Sequence, residues 1–413
     1  ILLIGNGFDL AHGLPTSYKD FLDFCKMVRE LYTYPIIDNE YNQKKLIDWN
    51  TDKTIKSKLL ECYENRKNCF EDKITTQCKE LDELYDCIKE NVWINYFLER
   101  EKSIGENWID FESEISNVVQ AIETLKGYIE RDEDVLKIKD TKQQIIIYFL
   151  KIAKKSLQDV FNLKRIDGFI EDISIELDKL IRSLEIYICE FVNEIDINKE
   201  NDDIKTITPD YVLSFNYSNT YERIYGQSKK VTYDYIHGKA DIKNNVDTCN
   251  LVLGIDEYLE DDKNDKLEFI AFKKFYQRIY KSTDSTYMKW VEQIKKYPEV
   301  NHNLFIFGHS LDKTDRDILK LLICNDNVTL DRAINPKRGT IYDSTGKYIF
   351  AISSTVETVT VNPGNIENDK KELGKLIKNL VRIMGQDELI SRTMGEHKTI
   401  EFIPQTVFVA KNN

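Results

Sequence analysis

The residues best suited to chemistry follow short apolar runs, each of which is typical of a buried strand. The first run, residues 1–4, leads into Gly5-Asn6-Gly7 and then Asp9. A glycine turn between a strand and a helix can hold a phosphate on the N–H groups of the helix's first turn. Leu10 stands where the dinucleotide fingerprint has its third glycine, so a turn without a ligand is an equally good interpretation. The carboxylate of Asp9, which no turn requires, favours a ligand site.

Three later apolar runs also end in residues of ligand-binding type. Residues 210–215 precede Asn216, residues 231–236 precede His237-Gly238, and residues 303–307 precede Gly308-His309-Ser310-Leu311-Asp312. The carboxyl ends of parallel strands face a common crevice in an open α/β sheet, so these residues are predicted to meet there. Taken singly, His237 is more often a structural histidine and Asn216 a turn residue. Their shared position is what predicts a site.

The elements that must position these residues are predicted from periodicity. Residues 41–204 are polar and periodic at helical spacing, which indicates a helical insertion. Further predictions are a strand at residues 250–256, a solvated helix at 272–280, a hairpin at 340–350, a strand at 355–361 and a helix at 373–384 ended by Gly385. Two apolar stripes of the insertion are predicted to be helical core: Ile115, Val118, Val119, Ile122, Leu125 and Ile129, and Phe169, Ile173, Leu177, Leu180, Leu184, Ile188 and Phe191.

Together these elements predict an α/β fold, with a Rossmann-like parallel sheet, a large helical insertion and a small C-terminal α+β extension. The predicted domains are a core of residues 1–40 and 205–330, the insertion of residues 41–204, and a hairpin-helix extension of residues 331–413 packed on the core.

Within the insertion, Trp108 and Glu112 are predicted to share a helix face, with Asp110 nearby. These residues either begin an amphipathic helix or close the site at the glycine turn.

Composition narrows the class of partner. With 58 Lys and Arg against 71 Asp and Glu, the net charge of -13 argues against broad binding of nucleic acid. The apolar runs are too short to span a membrane, so we expect a cytoplasmic protein. Eight cysteines without a Cys-x-x-Cys pair are expected to be reduced thiols, and no metal is expected.

The motifs resemble those of the bacteriophage abortive infection AbiH family. The resemblance is carried by Gly5-Asn-Gly-Phe-Asp-Leu-Ala-His-Gly-Leu-Pro-Thr-Ser-Tyr18, Trp108 with Glu112, Ser214-Phe-Asn-Tyr217, Ile236-His-Gly238 and Phe307-Gly-His-Ser-Leu-Asp312. More distantly, their order is similar to that of SIR2-like domains, which are sirtuin-fold proteins that bind NAD.

The SIR2-like resemblance implies a role for each motif. It makes His237 the general base and gives Asn216 the task of orienting the ribose and a water. The role of Asp9 comes from chemistry instead, since its carboxylate is suited to stabilise the positive charge that develops on the sugar. The glycine turn would hold the pyrophosphate, and the loop after residue 307 the adenosine side. The implied cofactor-binding residues are Gly5, Asn6, Gly7, Phe8, His12, Gly13, Leu14, Pro15, Gly308, His309, Ser310 and Asp312.

Two positions depart from the SIR2-like pattern. Ser218 stands where many SIR2-like NADases have Asp, and Asp9 stands where sirtuins have a small residue. The zinc-binding cysteine pairs of deacylating sirtuins are missing, which argues against protein deacylation.

The function implied is a bacterial, anti-phage hydrolase that cleaves NAD at the nicotinamide–ribose bond when infection triggers it. A phage-encoded trigger and a second copy of the chain are further expected partners. One alternative is a sensor that holds NAD or ADP-ribose without breaking it. Another is a metal-dependent nuclease or phosphoryl-transfer toxin that uses Asp9, Asp110, Glu112 and Asp312 as Mg²⁺ ligands.

Overall fold

The computed structural model describes most of the chain. The described residues are 1–33, 44–46, 48–72, 79–104, 110–131, 141–160, 162–226, 230–255, 267–283, 285–296, 304–312, 315–323, 350–353, 366–394, 400–403 and 409–410. Trp108, the hairpin predicted at residues 340–350 apart from Phe350, and the strand predicted at 355–361 lie outside them. None of the described helices combines the length and the apolar character needed to cross a membrane.

The strands within the described residues form one large and one small sheet. They are β1 (Leu2–Ile4), β2 (Lys199–Glu200), β3 (Tyr211–Ser214), β4 (Thr232–Tyr235), β5 (Leu304–Phe307), β6 (Phe350–Ser353), β7 (Glu401–Ile403) and β8 (Val409–Ala410). The large sheet has the order β4-β3-β1-β5-β6-β7 and every neighbouring pair in it is parallel, whereas β2 and β8 pair antiparallel.

The helices occupy most of the remaining described chain. They are α1 (Asn6–Ala11), α2 (Tyr18–Thr33), α3 (Lys53–Asp72), α4 (Lys79–Ile88), α5 (Val92–Ile104), α6 (Phe111–Glu130), α7 (Thr141–Ile152), α8 (Leu157–Val160), α9 (Leu163–Tyr187), α10 (Asp202–Thr206), α11 (Thr220–Tyr225), α12 (Lys274–Tyr280), α13 (Tyr287–Lys296), α14 (Arg316–Ile323), α15 (Ile366–Met384) and α16 (Gln386–Met394). A π-helix, Ile188–Val192, continues α9, and a 3₁₀-helix, Leu267–Phe272, precedes α12.

The order of the large sheet is that of a Rossmann fold. Counted among themselves in chain order, its strands run 3-2-1-4-5-6, and the order reverses at β1, which lies between β3 and β5. This confirms the predicted α/β, Rossmann-like class. It also places the carboxyl ends of β1, β3, β4 and β5 along one edge of the sheet.

The chain forms two compact units. The first comprises Ile1–Leu14, Asp196–Lys239 and Thr283–Asn413 and contains the large sheet. This unit has two hydrophobic clusters. Successive side chains of β1 point to opposite faces of the sheet, so Leu3 belongs to one cluster and Leu2 and Ile4 to the other. The predicted stop of α15 is confirmed, since Gly385 follows Met384 with φ of +89°.

The second unit comprises Pro15–Ile195 and Ala240–Ser282 and is mostly helical. Both predicted stripes are core: all their side chains are buried except that of Ile129, which is half-buried. Phe111 is stacked between the rings of Tyr18 and Phe97, at centroid distances of 4.2 and 4.1 Å. The helical nature predicted for this part of the sequence is therefore confirmed.

The strand predicted at residues 250–256 is wrong over residues 250–255, and Asp256 lies outside the described residues. Residues 251–254 are irregular and buried, and Ile255 forms a single bridge with Lys273. The side chain of Gln277 replaces a neighbouring strand, because it accepts a bond from the N–H of Leu253 and donates one to its carbonyl, both at 3.0 Å. A buried apolar run can satisfy its backbone in this way without joining a sheet.

In the glycine turn after β1, close packing against the backbone of another loop, and not a positive φ, requires glycine at position 5. The φ of Gly5 is -124°, a value open to any residue, and α1 begins at the next residue. A Cβ on Gly5 would instead lie 2.7 Å from the carbonyl oxygen of Gly308. On Gly308, whose φ is +69°, it would lie 2.1 Å from the nitrogen of Phe8. The β1–α1 turn and the loop after β5 are thus in backbone contact.

We therefore expect Gly5→Ala to lower the free energy of unfolding by about 1–3 kcal/mol, the usual cost of forcing atoms into a packed interior. Gly374→Ala is the matched control, because a Cβ there meets no atom within 4 Å. In the interior of α15 it should stabilise by about 0.5–1 kcal/mol. Chemical denaturation of both variants measures the difference, and a Gly5→Ala protein as stable as wild type would contradict the contact.

Candidate functional site

The structure places four of the predicted polar residues at the carboxyl edge of the sheet in the first unit. Asp9 lies in α1 directly after β1, and Asn216, His237 and His309 each lie two residues beyond the end of β3, β4 and β5. All four are buried, with exposed fractions of 1%, 4%, 5% and 6% in that order. Buried polar groups need partners, so their contacts define what the site can do.

Asp9 is bound to the loop after β3. Its Oδ2 accepts a hydrogen bond of 2.5 Å from the hydroxyl of Ser218, and that hydroxyl lies 2.8 Å from the hydroxyl of Thr220. Asp9 in α1 and Ser218 in the loop after β3 are therefore in direct contact.

Burial changes the titration of Asp9. Desolvation raises its pKa from 3.8 to about 6, against the opposing effects of hydrogen bonding by Ser218, Thr220 and Asn216 and of the charge on Arg223. A carboxyl with a pKa near 6 is ionised at neutral pH and becomes neutral within about one pH unit below it. Such a shift is common at functional sites.

The side chain of Asn216 leaves hydrogen-bonding capacity unused. Its Oδ1 and Nδ2 are buried, and neither has a hydrogen-bond partner among the described residues; the same holds for Oδ1 of Asp9. The Asn216 amide lies close enough to lower the pKa of Asp9, but outside the geometry of a hydrogen bond. Each such buried atom costs about 1–3 kcal/mol unless a ligand or a water satisfies it.

His237 and His309 share one carboxylate, that of Asp315. Nε2 of His237 is 3.0 Å from Oδ1 of Asp315, and Nε2 of His309 is 3.7 Å from Oδ2. The ring of Phe215 packs edge-on against both imidazoles, at centroid distances of 5.4 and 4.3 Å. A carboxylate behind a histidine is the usual orienting group for a base.

Sequence reasoning missed Asp315. Two signals pointed to it: it closely follows the strand-end segment at residues 308–312, and it immediately precedes α14. An acidic residue in that place is stabilised by the helix dipole and can reach a neighbouring strand end.

The glycine turn offers fewer donors than the sequence indicated. The N–H of Gly7 donates to the carbonyl of Gly308 and the N–H of Phe8 to the carbonyl of Gly5, both at 2.8 Å. Asn6 is exposed, whereas the Phe8 ring is fully buried against Phe307 at a centroid distance of 5.7 Å. Phe8 thus packs α1 against β5 of the sheet.

His12 is also held by the protein. Its Nδ1 donates to the carbonyl of Phe8 at 2.7 Å, and its Nε2 accepts from the hydroxyl of Tyr225 at 2.9 Å. The Tyr225 oxygen in turn accepts a bond of 2.9 Å from the N–H of Asn201. These contacts give His12 the role of an anchor for the end of α1.

The other predicted binding residues are distributed more widely. Gly13 is exposed with φ of +83° and Leu14 is buried, while Pro15 belongs to the second unit, where its carbonyl accepts a bond from Tyr187. Ser310 is exposed and Asp312 half-buried. Their carbonyls accept bonds from the side chain of Asn379 and the N–H of Asp315.

In the second unit, Asp110 and Glu112 have structural partners. Asp110 caps α6 by accepting bonds from the N–H groups of Glu112 and Ser113. Glu112 pairs with the buried Lys274 at 2.9 Å. The helix-start interpretation of Asp110 is confirmed, and closure of the site by this segment stays a prediction. Among the described residues, no group of three or more His, Cys, Asp or Glu is arranged to hold a metal ion.

The raised pKa of Asp9 predicts a pH-dependent stability. The folded protein binds the proton of Asp9 more tightly than the unfolded chain does. The contribution of this protonation to the free energy of unfolding is therefore complete below about pH 4 and is lost as pH rises through about 6. We expect Asp9→Asn to be more stable than wild type at pH 8, by up to about 3 kcal/mol, with the difference shrinking towards pH 4.

Urea denaturation at pH 5 and pH 8 measures this effect. The control is Asp172→Asn, at an exposed position of α9, which should follow the wild-type pH dependence. Equal pH dependence of Asp9→Asn and wild type would show that the Asp9 proton is bound no more tightly in the folded state.

Comparison with known proteins adds the family. The sequence model of the family described as bacteriophage abortive infection AbiH matches residues 1–333, which include the strand-end residues and Asp315. No curated protein and no solved structure matches the chain. Because the match covers most of the 413 residues, the chain belongs to the bacteriophage abortive infection AbiH family and is an anti-phage abortive infection protein.

Proposed function

We propose that this AbiH protein hydrolyses NAD at the bond between nicotinamide and ribose when infection triggers it. The observation that carries the proposal is the set of three buried polar atoms without hydrogen-bond partners among the described residues, Oδ1 of Asp9 and the Oδ1 and Nδ2 of Asn216. They lie at the carboxyl edge of a sheet with Rossmann order, where such sheets bind nucleotides. The resemblance of the motifs to SIR2-like domains supports NAD as the nucleotide.

The chemistry matches the groups available. As the bond to nicotinamide breaks, its electron pair leaves with nicotinamide and positive charge develops on the ribose. Ionised Asp9 stabilises that charge in a water-poor site. Asn216 has a donor and an acceptor with which to hold a ribose hydroxyl and the attacking water. His237, backed by Asp315, takes the proton of that water as its oxygen bonds to the ribose, and ADP-ribose results.

Hydrolysis of NAD accounts for abortive infection. Loss of a cofactor on which the whole metabolism depends stops the infected cell before phage particles are complete. Because constant activity would harm an uninfected host, the activity has to wait for a trigger, which we expect to be encoded by the phage.

The test is incubation of the purified protein with NAD, with and without phage lysate, followed by chromatography of nicotinamide and ADP-ribose. His237→Ala should lower the rate of release by about 10²–10⁴-fold, the usual range for losing a group that acts in proton transfer. Asn216→Ala should lower it by about 10²–10³-fold, the usual range for losing a hydrogen-bonding group that acts in the transition state. Since the side chain of Asn216 makes no hydrogen bond to the described residues, Asn216→Ala should retain full thermal stability.

Asn201→Ala is the matched control. Asn201 is equally buried, but its side chain caps α10 by accepting a bond from the N–H of Ile204. Its loss should cost about 1 kcal/mol of stability and leave the rate per folded molecule unchanged. Binding of NAD without release of nicotinamide, in wild type with lysate, would overturn hydrolysis and favour a nucleotide sensor.

A further inference from the structure

Asp315 touches two imidazoles, and its position restricts how they are protonated. Its Oδ1 and Oδ2 face Nε2 of His237 and Nε2 of His309, at 3.0 and 3.7 Å. The carboxyl is buried, and it immediately precedes the eight residues of α14, whose dipole favours the ionised form. An ionised carboxylate only accepts hydrogen bonds.

The protonation of His309 is set by its own loop. The N–H of Leu311 donates to Nδ1 of His309 at 2.9 Å. A backbone N–H can only donate, so Nδ1 carries the lone pair and the ring proton of neutral His309 is on Nε2, which faces Asp315. The loop is built for this bond, because Leu311 is fully buried with φ of +55°, a conformation that costs a residue with a side chain about 1–2 kcal/mol.

The same reasoning applies to His237. With Asp315 ionised, the contact of 3.0 Å requires Nε2 of His237 to be the donor. Neutral His237 is then protonated on Nε2, and its lone pair is on Nδ1. The packing of Phe215 against both rings holds the two imidazoles on either side of the carboxylate.

We propose that Asp315 and His309 are positioning residues, which fix His237 as the Nε2–H tautomer so that Nδ1 is the nitrogen that accepts a proton. His309 acts through Asp315: its Nε2–H faces the second carboxylate oxygen at 3.7 Å, longer than a hydrogen bond, and its electrostatic attraction for that oxygen keeps the first oxygen aimed at His237. The catalytic consequence rests on the proposed NAD hydrolysis, but the tautomer itself is a property of the protein without substrate.

The experiment is a long-range ¹H–¹⁵N correlation spectrum of protein labelled at histidine with ¹⁵N, recorded across pH 5–9. Signals of His237 are assigned by their loss in His237→Gln. We expect neutral His237 to show a protonated Nε2 and an unprotonated Nδ1. In Asp315→Asn that preference should weaken, and the pH midpoint of His237 should fall by about one unit, because the stabilising charge is gone.

Two comparisons separate positioning from general loosening of the fold. His309→Ala should shift the His237 signals in the same direction as Asp315→Asn, and His309→Gln, which keeps an acceptor and a donor, should restore them in part. Asp317→Asn, in the first turn of the same helix, should leave them unchanged. An Nδ1–H tautomer in wild type, or unchanged His237 signals in Asp315→Asn, would overturn the proposal.

Activity separates this proposal from the proposed function. If the protein releases nicotinamide, Asp315→Asn should lower kcat at least tenfold with KM within about twofold, and His309→Gln should retain more activity than His309→Ala. If no nicotinamide is released but the spectra are as expected, the positioning of His237 stands and NAD hydrolysis fails.

Discussion

The backbone contact between the turn after β1 and the loop after β5 is the constraint on which the site depends. Two glycines make it possible, since a Cβ on Gly5 or Gly308 would overlap main-chain atoms of the other segment. The contact lies at the point where strand order reverses, so it sets the spacing between α1, which carries Asp9, and the loop that carries His309. The N–H of Gly7 donates its hydrogen bond to the carbonyl of Gly308 in this contact and is therefore not available to a ligand.

Several features of the candidate site lower the stability of the folded protein. Asp9 is ionised at neutral pH although burial favours its neutral form, and Asn216 keeps two buried polar atoms without hydrogen-bond partners among the described residues. Leu311 adds a left-handed backbone conformation. Each of these costs on the order of 1–3 kcal/mol, and their coincidence at one edge of the sheet is typical of functional sites, where strain and unmet polarity are tolerated.

Much of the fold could be predicted from the sequence, because apolar runs and their polar ends are local signals. The strands at residues 211–214, 232–235 and 304–307 are examples, and so is the proximity of Asn216 to Asp9. Three features could not be predicted, because they depend on residues distant in the chain. The side chain of Gln277 satisfies the backbone of Leu253, so that this apolar run does not join the sheet. Asp315 pairs with His237 across two strand ends. The backbone of Gly308 leaves no room for a residue larger than glycine at position 5.

The central position of β1 also governs when the candidate site can assemble during synthesis of the protein. Leu3 pairs with Leu213 on one side and Ile306 on the other, so the middle strand of the sheet precedes its partners by about 200 and 300 residues. Such long-range pairing is slow, and at about 5–20 residues per second the ribosome needs roughly 15–60 s to supply the second partner. Asp315 is made later still. A nascent chain therefore carries Asp9 long before it carries His237, His309 and Asp315, so the four residues can come together only after most of the chain has been made.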